Sequence, residues 1–379
     1  MLRMWQGREL VVCTLAFLAG NVLGDFLSFP PWVFLFLSLV FAFVSLRRPG
    51  WAGLLVCFVF LGAATLQLGR MPSGTGPSAL KQWAALQKET FSAWLGQLTP
   101  PGEELAVLRA LAIGDKGDLT RDLRAAFRES GAMHLLALSG LHVGLIYALL
   151  RWLLSPLGGH RAARLLRSTF ILLSLWTYAL ITGLSSSIAR AVLMITFYEV
   201  SGWMSGDRDG LTALAGSALI LMLFDPESPR DIGFQLSYTA VLSILLLHPR
   251  LSRLLQTRSR LLTRIWELLS VSLCCQATCG VLAWIYFGTF PRYFLLTTLL
   301  AIPLATAAMY AIAASVASAS LSSLAAHLLS TAHLPASSSS HLPSDWLLSA
   351  LSTLSDVTTD ILHWLLHLLN TLIRLIASL

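Results

Sequence analysis

The chain has 379 residues, of which 56% are hydrophobic and only 12% are charged, and its mean hydropathy is +0.72. These values exclude an ordinary soluble domain, because so much apolar surface with so few charges belongs in a bilayer. The net charge of +7 comes mostly from arginine, which collects in the cytoplasmic loops of membrane proteins, so it does not by itself indicate nucleic-acid binding. The five cysteines lie inside apolar runs without the paired spacing of a zinc site, and we interpret them as small core residues.

Apolar runs long enough to cross a bilayer recur along the whole chain. Because a span needs about 20 apolar residues, the sequence predicts an all-α polytopic integral membrane protein with about 10–11 transmembrane helices plus amphipathic surface helices. The predicted spans cover residues 9–26, 31–46, 51–69, 133–154, 168–184, 188–205, 211–224, 232–248, 266–290 and 293–316, with a possible last span at 346–373.

The spans and the segments between them divide the chain into five predicted regions. These are a three-helix membrane region at 1–70, an extracytoplasmic amphipathic helical segment at 71–130, a transmembrane core at 131–316, a Ser/Ala-rich linker or short surface helix at 317–345, and a C-terminal amphipathic or transmembrane helix at 346–379. Residues 71–130 are expected to form helices that lie on the outer membrane surface.

Arginines are distributed unevenly between the predicted loops. With Arg3 and Arg8 inside, alternation of the spans places most loop arginines in the cytoplasm, and the short outer loops keep only Arg230 and Arg292. This asymmetry supports the orientation in which the amphipathic segment is outside.

The last predicted helix carries a polar stripe with steps of three and four residues. The stripe consists of Ser349, Thr353, Asp356, Asp360, His363, His367, Asn370 and Arg374. Such a stripe faces water or lines a polar path. Apolar residues on both sides favour an amphipathic helix in the membrane interface over a pore lining, and both interpretations stay open.

The predicted span at 133–154 opens with histidine and serine inside an apolar run. On a helix Ser139 and His142 share a face with His134, while Gly140 and Gly144 form a surface for close helix packing. Polar groups inside spans are costly, so these side chains are candidates for function. The alternative is helix packing with a hydroxyl bonded to its own backbone.

A polar turn that contains Gly183 and Ser187 leads into a helix with Arg190 near its start. A helix N-terminus together with an arginine suits an anion, and phosphate is the obvious one. The alternative is an arginine that snorkels to the outer interface. Gly183 is predicted to serve helix packing.

Two glutamines lie inside predicted spans. Gln235 shares a helix face with Tyr238 and follows Gly233, a predicted packing glycine, and Gln276 lies in the next span. Amide and phenol groups hydrogen-bond phosphate, sugar or base edges, or simply a neighbouring helix. The sequence leaves both interpretations open.

Four segments taken together resemble the competence domain of the ComEC family, the inner-membrane proteins of natural transformation. The matching stretches are His134–Gly144, Thr182-Gly183 with Ser187 and Arg190-Ala191, Gly233–Ser237, and Phe287-Gly288 followed by Ile302-Pro303-Leu304. They occur in the order of the family, and the three preceding spans look like its N-terminal membrane portion.

The resemblance implies a multi-pass protein of the bacterial inner membrane that passes single-stranded DNA into the cell. Its implied partners are this strand, membrane lipids, an extracytoplasmic DNA receptor and a cytoplasmic DNA-translocating ATPase, whereas its oligomeric state cannot be inferred from the sequence. A polyanion needs a hydrated lumen with hydrogen-bond donors. The residues expected along that path are His134, Ser139, His142, Ser187, Arg190, Gln235 and Gln276.

The sequence departs from the full-length pattern of the family in two ways. The segment at 71–130 is too short and too helical for an oligonucleotide-binding β domain, and neither a metallo-β-lactamase-like domain nor its H-x-H-x-D-H motif is found. We therefore expect a channel without strand-degrading activity, with no metal site and no cofactor.

Two other functions compete with a DNA channel. An intramembrane serine hydrolase would use Ser139 as nucleophile and His142 as base, but residues three apart on one helix rarely aim at each other, and no carboxylate is near in sequence. A small-anion transporter would use Arg190 with a narrower lumen. The order of the family motifs disfavours a scaffold without transport.

The arginine distribution predicts which loops face each side of the membrane. In a background without native cysteines, a cysteine at Pro100 should react with an impermeant maleimide added outside intact cells, whereas one at Arg161 should react only after lysis. Labelling of position 100 from the cytoplasmic side alone would contradict this orientation.

Overall fold

The computed structural model describes residues 8–27, 30–47, 51–70, 79–136, 138–204, 209–255, 259–288, 294–331 and 343–378, and within these ranges all regular structure is helical. The predicted all-α class is confirmed. The α-helices are α1 (Arg8–Leu23), α2 (Pro31–Arg47), α3 (Trp51–Gly69), α4 (Ala79–Leu95), α5 (Glu103–Ile113), α6 (Arg121–Glu129), α7 (Gly140–Leu153), α8 (Arg161–Ile181), α9 (Ser186–Met204), α10 (Gly210–Phe224), α11 (Ile232–Leu251), α12 (Arg260–Cys275), α13 (Val281–Phe287), α14 (Phe294–Thr331) and α15 (Pro343–Ala377).

Six stretches of the described residues are long and apolar enough to cross a membrane. They are Ala52–Gly69, Arg161–Ile181, Ile232–Leu251, Arg260–Tyr286, Leu295–Leu328 and Trp346–Ala377. Shorter apolar helices cover Glu9–Leu23, Pro31–Phe43, Gly140–Leu153 and Gly210–Phe224. Helix α9 belongs to neither group, because Arg190 and Glu199 interrupt its apolar sequence.

Helix α14 is longer than predicted. The sequence suggests a linker from residue 317, but the helix continues to Thr331. Alanine has the highest helix propensity, and the serines bond back to their own helix, with Ser320 Oγ donating to the Val316 carbonyl at 2.7 Å. The rest of the predicted linker, with Ser337–Ser340, lies outside the described residues.

The chain divides into two compact units that do not follow the predicted regions. Unit 1 comprises Met1–Gln82, Ile146–Ala179 and Leu184–Phe290. Unit 2 comprises Trp83–Leu145, Leu180–Gly183 and Pro291–Leu379.

Helices α1 and α3 of unit 1 approach each other most closely at two glycines. A Cβ atom on Gly20 would lie 1.8 Å from the Val59 carbonyl oxygen, and one on Gly62 would lie 2.1 Å from the Phe17 carbonyl oxygen. Because only hydrogen fits in this space, the two backbones are in contact. The sequence predicted close packing of this kind at Gly140 and Gly144, but a Cβ atom on Gly144 would meet nothing within 4 Å.

An ion-pair cluster joins the ends of α1 and α3 to the loop before α11. Asp25 accepts hydrogen bonds from Arg230 and from Arg70, the latter at 2.6 Å, and Arg70 Nε donates to Glu227 at 2.8 Å. The hydrogen bond from Arg230, followed by that from Arg70, outweighs burial and holds the pKa of Asp25 below its ordinary value. Glu227 and Arg230 lie in a loop predicted to be outside, whereas Asp25 falls at the end of the predicted span 9–26.

The core of unit 2 contains α5. All residues from Leu105 to Ile113 except Arg109 are buried, against α14 and α15 among others. Helix α5 is therefore buried within unit 2, where the sequence suggests an amphipathic helix. The reason is its composition, since a helix that is apolar on all sides packs inside a protein. Helix α4 keeps an exposed face with Trp83 and Leu86.

Helix α15 has three distinct faces. One apolar face is buried, a second apolar face with Val357 and Trp364 is exposed, and the polar stripe between them is exposed except at Asn370. At its C-terminal end the stripe contacts the start of α5, where His367 Nδ1 lies 3.1 Å from Glu104 Oε1 and Arg374 donates to Glu103 at 2.5 Å.

The glycine contacts predict a graded effect of added methyl groups. Gly20→Ala and Gly62→Ala should each lower the free energy of unfolding by about 1–3 kcal/mol, because a Cβ atom would force two backbones apart. Gly144→Ala is the matched control, because its Cβ would meet nothing within 4 Å and alanine favours the helix. The midpoint of thermal unfolding in detergent measures the difference, and equal midpoints for the three variants would contradict the packing.

Candidate anion-binding site

The turn before α9 has two successive residues with positive φ. Gly183 has φ 79° and Leu184 has φ 52°. The Leu184 amide donates to the Ala179 carbonyl at 2.8 Å and the Gly183 amide to Leu180 at 3.1 Å, which is the Schellman arrangement that ends a helix. Gly183 therefore supplies a left-handed conformation at the end of α8, and not the helix packing predicted for it. Leu184 adopts this conformation at a cost, as residues at functional sites often do.

Ser185 is the N-cap residue of α9, since its carbonyl accepts the first helical hydrogen bond, from the Ala189 amide at 2.9 Å. A serine at this position normally uses its hydroxyl to cap an amide of the first turn. Here the Ser185 hydroxyl is buried and has no hydrogen-bond partner in the described part of the chain. Ser187 lies in the first turn, half-buried.

Arg190 points into unit 1 and not toward the surface. The residue is 5% exposed, so snorkelling does not describe it. None of the hydrogen bonds among the described residues involves Arg190, and its Nε is a buried donor without a partner. Its one ion pair in this part of the chain is long, with 3.9 Å between Nη1 and Asp231 Oδ2.

The start of α11 borders the guanidinium. Asp231 caps this helix through Oδ1, which accepts the Gly233 amide at 2.7 Å. A Cβ atom on Gly233 would lie 3.2 Å from Arg190 Nη2 and 3.3 Å from Asp231 Oδ1. Gly233, predicted to pack against a helix, instead leaves room for the guanidinium and the carboxylate.

Gln235 is one turn further along α11, and its amide is used within the protein. Its Nε2 donates to the Pro229 carbonyl at 2.9 Å, and its Oε1 accepts the Tyr286 hydroxyl at 2.6 Å. Gln235 thus fixes the loop before α11 and the end of α13. Tyr238 is buried and donates to Ser217 Oγ at 3.1 Å.

Gln276 opens a π-helical turn, Gln276–Gly280, between α12 and α13. Such turns are rare in proteins overall, but those that occur are often at functional sites. The Gln276 Nε2 is buried without a partner among the described residues, and a Cβ on Gly280 would lie 2.8 Å from it. No described contact joins Gln276 to Arg190.

His134, Ser139 and His142 belong to unit 2 and do not share a helix face. His134 ends a 3₁₀ turn at Ala132–His134, and α7 begins only at Gly140. Ser139 precedes this helix, and its hydroxyl lies 3.0 Å from His142 Nδ1. The expectation that the two side chains do not aim at each other assumed that both lie inside one helix, and the start of α7 at Gly140 removes that assumption.

The contact has the features of a helix cap. The Ser139 amide donates to His142 Nδ1 at 3.3 Å, so the histidine reaches back to the first free amide as glutamate or glutamine does in a capping box. Nδ1 is then an acceptor. Within the described residues no carboxylate hydrogen-bonds His142 to orient it, which is the third group of a hydrolase triad.

Three residues of unit 1 were not predicted from the sequence. Asp231 pairs with Arg190, and Tyr286 donates to Gln235. The third, Glu199, is completely buried in α9. Glu199 accepts hydrogen bonds from Tyr147 of α7 and from Ser168 of α8, each at 2.5 Å, and so joins three helices. A lone carboxylate in an apolar run is a signal that could have identified it.

Among the described residues no group of three or more His, Cys, Asp and Glu side chains is arranged to hold a metal ion. The candidate anion site is formed by arginine, hydroxyl and amide donors.

Comparison with known proteins decides the family. The family model "Competence protein" matches residues 111–379. The chain belongs to this family. ComE operon protein 3 of Bacillus subtilis (strain 168) is 33% identical over 162 residues, which are 43% of this chain and 20% of that protein. Competence protein ComA of Neisseria gonorrhoeae is 29% identical over 146 residues, 37% of this chain and 21% of that protein.

The alignments cover about a fifth of each curated relative, and no solved structure matches the chain. The family match includes the start of α9, the start of α11 and the serine–histidine contact, whereas helices α1–α4 precede it. The chain is a competence-family member with an all-α, multi-pass membrane architecture.

The cap interpretation makes a prediction that separates it from a hydrolase. Ser139→Ala should lower the free energy of unfolding by about 1 kcal/mol, and His142→Gln should cost less than His142→Leu, because glutamine can keep the contact with the Ser139 amide. Thermal midpoints in detergent measure both effects.

The same set of variants tests the hydrolase directly. A fluorophosphonate probe should not label Ser139 in the folded wild-type protein. Labelling of Ser139 that disappears in His142→Gln would instead establish a nucleophile and its base.

Proposed function

We propose that the protein is a channel of the inner membrane that imports single-stranded DNA during natural transformation. Membership in the competence family supports a role in DNA uptake. The observation that carries the proposal is the buried guanidinium of Arg190, which lacks a hydrogen-bond partner among the described residues.

A guanidinium has five N–H donors and stays charged. Burying it without hydrogen bonds is expensive, and an arginine at mid-bilayer costs about 2.5–3.5 kcal/mol even on insertion scales. A carboxylate at 3.9 Å neutralises part of the charge but satisfies none of the donors. A phosphate oxygen pair would satisfy them, because the guanidinium fork matches phosphate geometry.

The surroundings of Arg190 also suit a phosphate. The N-terminus of α9 carries a partial positive charge and free amides. The Ser185 hydroxyl, buried and unpartnered in the described part of the chain, adds a donor near that end. These are backbone-type contacts, which hold a strand without reading its sequence.

The remaining predicted residues have different local roles. Gln235 links the loop before α11, whose start borders Arg190, to Tyr286 at the end of α13, so Gln235 acts by positioning and not as a free donor. Gln276 keeps a free buried amide and remains a candidate contact for the strand. Ser139 and His142 cap α7, and His134 Nδ1 donates to the Gly131 carbonyl at 3.0 Å.

Such a channel would work with an extracytoplasmic receptor that delivers DNA and a cytoplasmic ATPase that pulls the strand, the partners that the resemblance to the family implies. Lipids contact its exposed apolar helix faces. A transporter of small anions would use the same arginine. Its affinity for inorganic phosphate would then equal its affinity for a DNA strand when each is compared per negative charge.

Variants of Arg190 test the proposal. Arg190→Gln should weaken binding of a fluorescent single-stranded oligonucleotide roughly 10-fold to 100-fold, the effect of losing about 1.5–3 kcal/mol from hydrogen bonds to a charged group. The affinity of Arg190→Lys should lie between those of wild type and Arg190→Gln, because lysine keeps the charge but lacks the paired N–H donors of a guanidinium. Anisotropy in detergent at fixed salt measures affinity, and uptake of transforming DNA by a complemented deletion strain measures function.

Arg264→Gln is the control, because it removes an exposed arginine of α12 and the same formal charge. Its affinity should stay near wild type. Wild-type affinity in Arg190→Gln at equal protein level would remove Arg190 from the path, and affinity that does not grow with strand length would indicate a small-anion carrier.

A further inference from the structure

We infer that Asp231 is a built-in competitor that occupies the phosphate position beside Arg190 and must swing away when a strand binds. The inference rests on the proposed function, because it states how the anion site at Arg190 is closed and opened.

Exposure of the two side chains places Asp231 on the route to Arg190. The Arg190 side chain is 6% exposed, whereas the Asp231 side chain is 52% exposed. The buried guanidinium thus pairs with a carboxylate that reaches water. An anion that approaches from solvent meets Asp231 before it meets Arg190.

The Asp231 carboxylate already contacts two donors that a phosphate would use. One oxygen accepts the Gly233 amide at 2.7 Å, and the other lies 3.9 Å from Arg190 Nη1. An amide at a helix start and a guanidinium are both common phosphate ligands. The carboxylate therefore occupies the place of an external anion. When a phosphate replaces it, the Gly233 amide and the Arg190 guanidinium each keep an anionic partner.

The contact with Arg190 is loose enough to be exchanged. At 3.9 Å there is no hydrogen bond between the two groups, so the carboxylate can leave without breaking one to the guanidinium. Gly233 makes the arrangement sterically possible, since a side chain there would crowd both Arg190 Nη2 and Asp231 Oδ1. The helix start, the glycine and the buried arginine form one unit.

Charge removal at Asp231 tests the competition. Asp231→Asn keeps a good cap for α11 but removes the negative charge that repels phosphate. We expect it to bind the single-stranded oligonucleotide about fivefold more tightly than wild type, the factor that corresponds to the Coulomb energy of about 1 kcal/mol between unit charges 4 Å apart in water. The gain should vanish in the double variant with Arg190→Gln.

Asp209→Asn is the matched control, because Asp209 caps α10 in the same unit through the Leu211 and Thr212 amides and has no described contact with Arg190. It should leave affinity unchanged. Equal gains in both aspartate variants would mean a general charge effect and would overturn the inference.

A second measurement does not depend on DNA. Asp231→Ser keeps a capping hydroxyl with a shorter side chain, and it should let phenylglyoxal modify Arg190 several-fold faster than in wild type, as counted by mass spectrometry with Arg230 as internal reference. Asp209→Ser should have no effect.

The outcomes separate the two proposals. Unchanged or weaker binding in Asp231→Asn, with Arg190→Gln still impaired, would show that Asp231 supports the site, and the competitor inference would fail alone. Unchanged Arg190 modification in Asp231→Ser would show that Asp231 does not cover Arg190. Wild-type binding in Arg190→Gln would instead remove the proposed function.

Discussion

The charge of Arg190, kept away from water inside a helical membrane protein, is the constraint around which unit 1 is arranged. Hydrocarbon cannot solvate ions or free backbone groups, so each such group needs a partner from the protein or from a ligand. The glycine at 233 and the carboxylate at 231 are local departures from regular apolar helix, and both lie beside the guanidinium.

Helix α9 carries a second buried charged residue, Glu199, which has hydrogen-bond partners within the protein. Glu199 follows Arg190 by nine residues, which is about 13–14 Å along the helix and half a turn around it. Two hydroxyls donate to Glu199, so its oxygens are satisfied from within the protein. Glu199 therefore links helices, whereas the guanidinium of Arg190 lacks hydrogen-bond acceptors among the described residues.

The sequence predicted the all-α class because apolar run length is a direct consequence of the bilayer. It was less informative where two structures have similar local patterns. A serine and a histidine three apart look the same whether the serine is inside a helix or caps it, and the difference lies in where α7 begins. The alanine and serine stretch after residue 316 reads as a linker, yet its hydroxyls bond back into α14.

The candidate site was predictable only in part. Arg190 was identified because a cation near a helix start is unusual, whereas Asp231 appeared to be an ordinary loop acid and Gly233 an ordinary packing glycine. Their roles depend on how α9 meets α11, and no local pattern encodes that contact. Likewise, Gln235 was correctly singled out as unusual, but its partners Pro229 and Tyr286 are separated from each other by more than one helix.

The ion-pair cluster around Asp25 has a consequence for biosynthesis. Asp25 and Arg230 are separated by 205 residues, so their contact cannot form until α1 through α10 have been synthesised. At about 5–20 residues per second, the aspartate waits roughly 10–40 s for its arginine. The loops on either side must also emerge on the same side of the membrane. Formation of this cluster thus requires that α10 has been synthesised and that these loops have reached the same side of the membrane.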